Sequence, residues 1–215
     1  MQEITEITGM IIKAEPIGEY DRRVVLLTRE KGKISAFARG SRKPSSRLLA
    51  ATNPFSFGVF KLYAGKSAYN IVDASISNYF EGLREDYESA YYGMYFLEVM
   101  DYYTRENNDE KEMLKLLYQS LRALMHEGLS NVLVRYIFEM KAMVINGEFP
   151  GMPAEGKWEE STRYAVSYIE GSGIEKLYTF TVTPPVLQEL KQIADTYRAR
   201  FVDRSFKSLE IVDNL

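Results

Sequence analysis

The stretch "ARGSRKPSSR", Ala38 to Arg47, holds four cations, Arg39, Arg42, Lys43 and Arg47, with no acid among them. Gly40, Ser41, Ser45 and Ser46 space these cations with small residues, whose backbone N–H groups can approach a phosphate closely. Just upstream, Lys31 and Lys33 flank Gly32. Between Arg22 and Arg47 there are nine cations and a single acid, Glu30. Cations grouped in this way suit a polyanion, because each neutralised phosphate releases bound counterions. Phe37, Phe55, Phe57, Phe60, Tyr63 and Tyr69 lie near in sequence and would offer stacking surfaces wherever one faces outward. Strand alternation predicts that most of them face a core. Read from the residues alone, nucleic acid stands beside two alternatives, another anion or a merely solvated loop.

Other chemistries find less support. The one histidine, His126, falls at the end of a predicted helix, where its cationic form suits the helix dipole. Glu85 and Asp86, and Asp109, Glu110 and Glu112, sit at predicted helix starts or in loops, where carboxylates are favourable without catalysis. There is no Gly-x-Gly-x-x-Gly, P-loop or Gly-x-Ser-x-Gly pattern. The absence of cysteine rules out disulfides, thiolate metal sites and cysteine nucleophiles. The expectation is a protein with no catalytic residues, no metal and no cofactor.

The charge is unevenly spread. The chain of 215 residues has a formal net charge of -3, yet residues 1–80 carry +5, residues 81–160 carry -8 and residues 161–215 are neutral. Such asymmetry points to an anionic partner for one part of the chain. A hydrophobic content of 46% supports a sizeable core, and 27% charged residues is ordinary for a globular protein. The N-terminal residues lack a basic segment before an apolar run, and no stretch reaches the roughly 18 apolar residues of a membrane span. A soluble cytoplasmic protein is expected.

The elements that must position the cations are β structure. Ile4–Ala14, Arg23–Arg29, Lys33–Arg39, Phe55–Ala64 and the run "YNIVDASI" read as five short strands, with a turn at Gly32. The longest interruption, "GSRKPSSRLLAATNP", separates the third from the fourth. Five antiparallel strands of this length suit a small barrel, and the OB-fold is such a barrel that binds oligonucleotides. From about Glu85 the period becomes helical. Tyr91, Tyr92, Tyr95, Phe96, Val99, Tyr102 and Tyr103 form one face, read as core or an interdomain seam. Met113, Leu114, Leu117, Leu121, Leu124 and Met125 form a second stripe, ended by Gly128. Ser130 caps a third helix that runs to Asn146-Gly147, and Thr183-Pro184 starts a last one. Between them, the alternation in Arg163–Ile169 and Leu177–Val182 predicts a β-hairpin. The domains expected are 1–80, a barrel, and 81–215, mostly helical with a hairpin at about 161–183.

Several linked motifs in this order resemble the bacterial RecO family of recombination mediators. They are Gly18-Glu19 with Asp21, Thr28 with Gly32, Ala38 with Gly40 and Ser46, Pro54-Phe55, the helix "LREDYESAYYGMYFLEVMD", and "VRYIFEMKAMVINGEFP". The match covers about 1–150 and returns at 184–215 through "FKSLEIV". The resemblance implies an OB-fold followed by a helical domain, an α+β architecture without catalysis. It implies binding of single- and double-stranded DNA, annealing of complementary strands, and loading of RecA together with RecR and the C-terminal tail of single-strand-binding protein. It assigns DNA contact to Lys31, Lys33, Arg39, Arg42, Lys43 and Arg47. That tail is acidic and ends in an apolar residue, so its pocket needs cations beside a hydrophobic groove; Lys115, Arg122 and Arg135 are the candidates. Many relatives carry a four-cysteine zinc module in the region of 151–183, which this cysteine-free chain cannot form. The rival readings are a barrel that serves as a protein-interaction adaptor and an RNA-binding barrel.

Overall fold

The computed structural model describes residues 3–215. Five strands, β1 (Ile4–Ile17), β2 (Asp21–Thr28), β3 (Gly32–Ala38), β4 (Phe57–Ala64) and β5 (Tyr69–Asn78), close into a barrel in the order β1-β2-β3-β5-β4. All neighbours are antiparallel except β3 and β5, which pair in parallel at Ala36–Tyr69 and Phe37–Asn70. This is the OB-fold expected from the sequence. Alternation dictates the core: Ile7, Ile11, Val24, Leu26, Ile34, Ala36, Ala38, Phe60, Leu62 and Ile71 all point inward. Burying one such large side chain stabilises the fold by about 1.5–3 kcal/mol. Irregularities in pairing at Ile11–Lys13 of β1, and at Phe57–Gly58 and Lys61–Leu62 of β4, supply the bends that closure requires. Of the six aromatics noted above, Phe60 is in the core, Tyr69 packs against it and Phe55 is buried. Phe37, Phe57 and Tyr63 are half-buried at alternate positions that face outward, so fewer turn inward than alternation led one to expect.

The chain divides into two compact units, residues up to Arg84 with Leu97–Leu114, and Glu85–Phe96 with Lys115–Leu215. The first unit therefore takes up a helical segment as well as the barrel. There, Gly32 at the β2–β3 turn adopts φ +65°, and a Cβ would lie 2.3 Å from the Arg105 carbonyl oxygen. The Lys33 amide donates to that carbonyl (3.0 Å), and the Asn107 amide donates to the Lys31 carbonyl (2.9 Å). The buried Thr28 hydroxyl donates to the Gly32 carbonyl (2.7 Å) and completes the turn.

The helices are α1 (Leu48–Ala51), α2 (Gly82–Glu85), α3 (Tyr87–Tyr103), α4 (Lys111–Leu124), α5 (Asn131–Asn146), α6 (Glu160–Gly171), α7 (Pro184–Phe201) and α8 (Lys207–Val212). In the second unit α5 is buried continuously from Leu133 to Met143. The Ser130 hydroxyl caps it by accepting from the Leu133 amide (3.3 Å). Gly147, at φ +77°, ends it with paired bonds from Gly147 to Val144 and from Glu148 to Met143. Phe96 of α3 stacks on Phe138 at 4.0 Å. The end of α4 differs from expectation. The helix stops at Leu124, Gly128 has no left-handed φ, and its amide donates to Nδ1 of His126 (3.1 Å).

The hairpin expected at Arg163–Val182 does not form. Residues 160–171 are α6, which buries Thr162, Ala165, Val166 and Ile169 on one face, a spacing of three, four and seven. A 3₁₀ turn at Ile174–Lys176 follows, and the rest of the segment continues through a turn at Leu177 and Tyr178 and a bend at Thr179 into irregular chain, without strand pairing among the described residues. The buried Lys141 of α5 secures the end of α6. Its ammonium donates to the carbonyls of Ile169, Glu170 and Ser172 at 2.8–3.0 Å. Among the described residues, no cluster of three or more His, Asp or Glu side chains is placed to hold a metal, so the region does not fit a zinc site. No described helix is long and apolar enough to cross a membrane.

Candidate nucleic-acid interface

The basic stretch leaves β3 at Ala38 and folds as successive turns. Ser41 donates to Ala38, Lys43 to Gly40, Ser46 to Lys43 and Leu49 to Ser46, and the last leads into α1. Gly40 takes φ +63°, a left-handed conformation that its lack of a Cβ permits. The loop is fastened to the β1–β2 turn. The Gly40 amide donates to Asp21 Oδ1 (2.7 Å), the Arg42 amide donates to the Tyr20 carbonyl (2.8 Å), and Arg42 Nη1 reaches the carbonyls of Gly18 and Glu19 (3.3 and 3.2 Å). Lys43 Nζ stands 5.5 Å from the centroid of the Tyr20 ring.

Arg39, Arg42, Lys43 and Arg47 are all exposed, and none is in an ion pair among the described residues. The four thus lie exposed on one loop of successive turns. Lys31 and Lys33 are placed apart from them. Lys31 precedes the far end of β3, a strand roughly 20 Å long, and its ammonium lies 5.7 Å from the Tyr69 ring centroid. Lys33 Nζ pairs with Asp101 Oδ1 at 3.0 Å and also donates to the Asp101 carbonyl, at 21% side-chain exposure.

Two arginines absent from the expected set belong to this region. Arg22 donates from Nη1 to the Leu49 carbonyl (2.9 Å) and to Thr52 Oγ1 (2.8 Å), and so ties α1 to β2. Burial, then the nearby Arg42 charge, pulls its pKa below the ordinary arginine value. Arg23 is exposed and lies opposite Phe37 in the β2–β3 register. The signal for it was present in the sequence: Val24 and Leu26 point inward, so Arg23 must point out.

The cations expected to meet a partner sit in the second unit and have unlike surroundings. Arg122 is exposed on α4. Lys115, seven residues earlier on the same helix, is ion-paired with Glu175. Arg135 is 3% exposed. It donates from Nε to Glu139 Oε1 (2.8 Å) and from Nη1 to Asp213 Oδ1 (2.7 Å). Glu139 also accepts from the Tyr95 hydroxyl (2.8 Å) and from Arg198 (3.1 Å). Arg135 is therefore part of an internal charge network and not an open surface.

With the geometry in place, the comparisons decide the family. The sequence profile described as Recombination protein O N terminal matches residues 1–80, and that described as Recombination protein O C terminal matches residues 84–152. The chain belongs to the RecO family. It is 25% identical to the DNA repair protein RecO of Acetivibrio thermocellus, over 97% of this chain and 96% of that one. It is 26% identical to that of Alkaliphilus metalliredigens, over 96% and 98%. It is 31% identical to that of Bacillus subtilis over 68% of this chain and 57% of the relative. The first profile matches the barrel and the cationic turn, and the second matches α3, α4 and α5. The chain is thus a DNA repair and recombination protein of a non-enzymatic family, the RecO mediators.

Proposed function

We propose that this RecO-family chain acts as a cytoplasmic, nucleoid-associated mediator that binds single- and double-stranded DNA through the cationic turn of its barrel. The observation that carries the reading is that Arg39, Arg42, Lys43 and Arg47 are exposed, and without carboxylate partners among the described residues, on one loop that the β1–β2 turn holds in place. Phosphate contacts of this kind do not read sequence, so binding is broad and falls steeply with salt. Two strands neutralised on one surface repel each other less, which favours annealing of complementary strands. With RecR and the tail of single-strand-binding protein, the same chain helps to load RecA. The acidic tail would meet Arg122 first, since Lys115 is engaged and Arg135 is buried.

The test is the salt dependence of single-strand binding by fluorescence anisotropy, for wild type and for Arg39→Ala/Arg42→Ala/Lys43→Ala. Losing three phosphate contacts flattens the slope of log affinity against log salt by roughly two units, at about 0.7 per contact. A wild-type protein that fails to bind at low salt would leave the adaptor reading in its place.

A further inference from the structure

We propose that Tyr20 is a base-stacking platform that makes the cationic turn favour single strands over duplex; this rests on the DNA-binding reading above. Tyr20 sits in the β1–β2 turn and is 41% exposed, the one exposed aromatic among the described residues of the first unit. Its place is fixed from both sides. Its carbonyl accepts from the Arg42 amide, and the next residue, Asp21, accepts from the Gly40 amide. The ring is therefore held among the cations that would hold phosphates. The Lys43 ammonium lies over the ring at 5.5 Å, within cation–π range. A base laid against the ring would complete a stack of base, phenol and ammonium, with Lys43 still able to reach a phosphate. A hydrogen bond to the Glu19 carboxylate raises the phenol pKa above its ordinary value.

Stacking on an aromatic side chain is tolerant of sequence because every base has a π-face. In a duplex those faces are covered by neighbouring base pairs, so only an unpaired strand can use Tyr20. The cations serve both forms. One turn thus supplies a contact common to both and a contact open to one.

The test compares an oligothymidylate with a hairpin duplex of equal charge, for wild type, Tyr20→Leu and Tyr20→Trp. Tyr20→Leu keeps bulk but removes the π-face. The expected result is a loss of about tenfold in single-strand affinity, duplex affinity unchanged, and an unaltered salt slope. Tyr20→Trp retains the single-strand affinity, which separates loss of stacking from loss of folding. Equal losses on both substrates, or none on either, overturn the stacking role and leave the phosphate site standing. Failure of the wild type to bind either form removes both.

Discussion

At the scale of single residues, a sequence reveals charge but not its direction. Arg22, Lys33 and Arg42 look alike as members of one basic run, yet one ties α1 to β2, one pairs with Asp101, and one stays exposed. Composition identified the run, and the exposed core of the candidate site, Arg39 to Arg47, was legible from it. The outlying members were not, because their partners Leu49, Thr52 and Asp101 lie tens of residues away. This separates two outcomes. Arg22→Ala should lower stability by about 1–2 kcal/mol in urea denaturation, through two lost hydrogen bonds. Arg47→Ala should leave stability within about 0.5 kcal/mol but reduce the salt slope by about 0.7. If both variants lower stability equally, the division of roles is wrong.

At the scale of elements, the barrel was readable because alternation and a glycine turn agree with each other. Gly32 satisfies both a left-handed φ and a close approach to Arg105. Gly32→Ala should therefore cost at least about 2 kcal/mol, measured by chemical denaturation. The segment that became α6 was misread for a physical reason. "RYAVSYI" is rich in β-favouring residues and alternates over seven positions, but strand propensity depends on context. The deciding feature was the longer stripe Thr162, Ala165, Val166, Ile169, which only a helix can bury on one face. The α5 lysine that holds the end of α6 was equally hidden. Lys141→Met removes three hydrogen bonds from an ammonium to carbonyls, and should expose Glu160–Gly171 to limited proteolysis before the rest of the chain. Cleavage elsewhere first would contradict this role. In α7, burial pushes the Asp195 carboxyl up, but Lys191 and Arg198 outweigh it and hold the pKa below its ordinary value. The resulting stabilisation is complete above about pH 4 and is lost as pH falls through the lowered value. Asp195→Asn should flatten the acid side of the stability–pH curve while changing its slope little above pH 5 or so.

At the scale of the whole molecule, opposite charges are segregated along the chain, +5 over residues 1–80 and -8 over residues 81–160. The proposed division, DNA on the cation-rich barrel and protein partners on the acidic helical segment, is in keeping with that separation. The chain also holds together without thiolates, since Lys141 and the buried face of α6 secure the region that resembles no zinc module. Prolonged exposure to a chelator should leave the melting temperature unchanged, and a fall on chelation would reveal an ion that the residues do not prefigure. The fastening of the basic loop to the β1–β2 turn has a kinetic consequence. A loop already in its working shape has no ordering step to complete after encounter. Capture should then run at the electrostatically steered rate, in one phase under stopped-flow, slowing as ionic strength rises. Little backbone would become ordered on binding, so calorimetry should return a heat-capacity change far smaller than coupled folding produces.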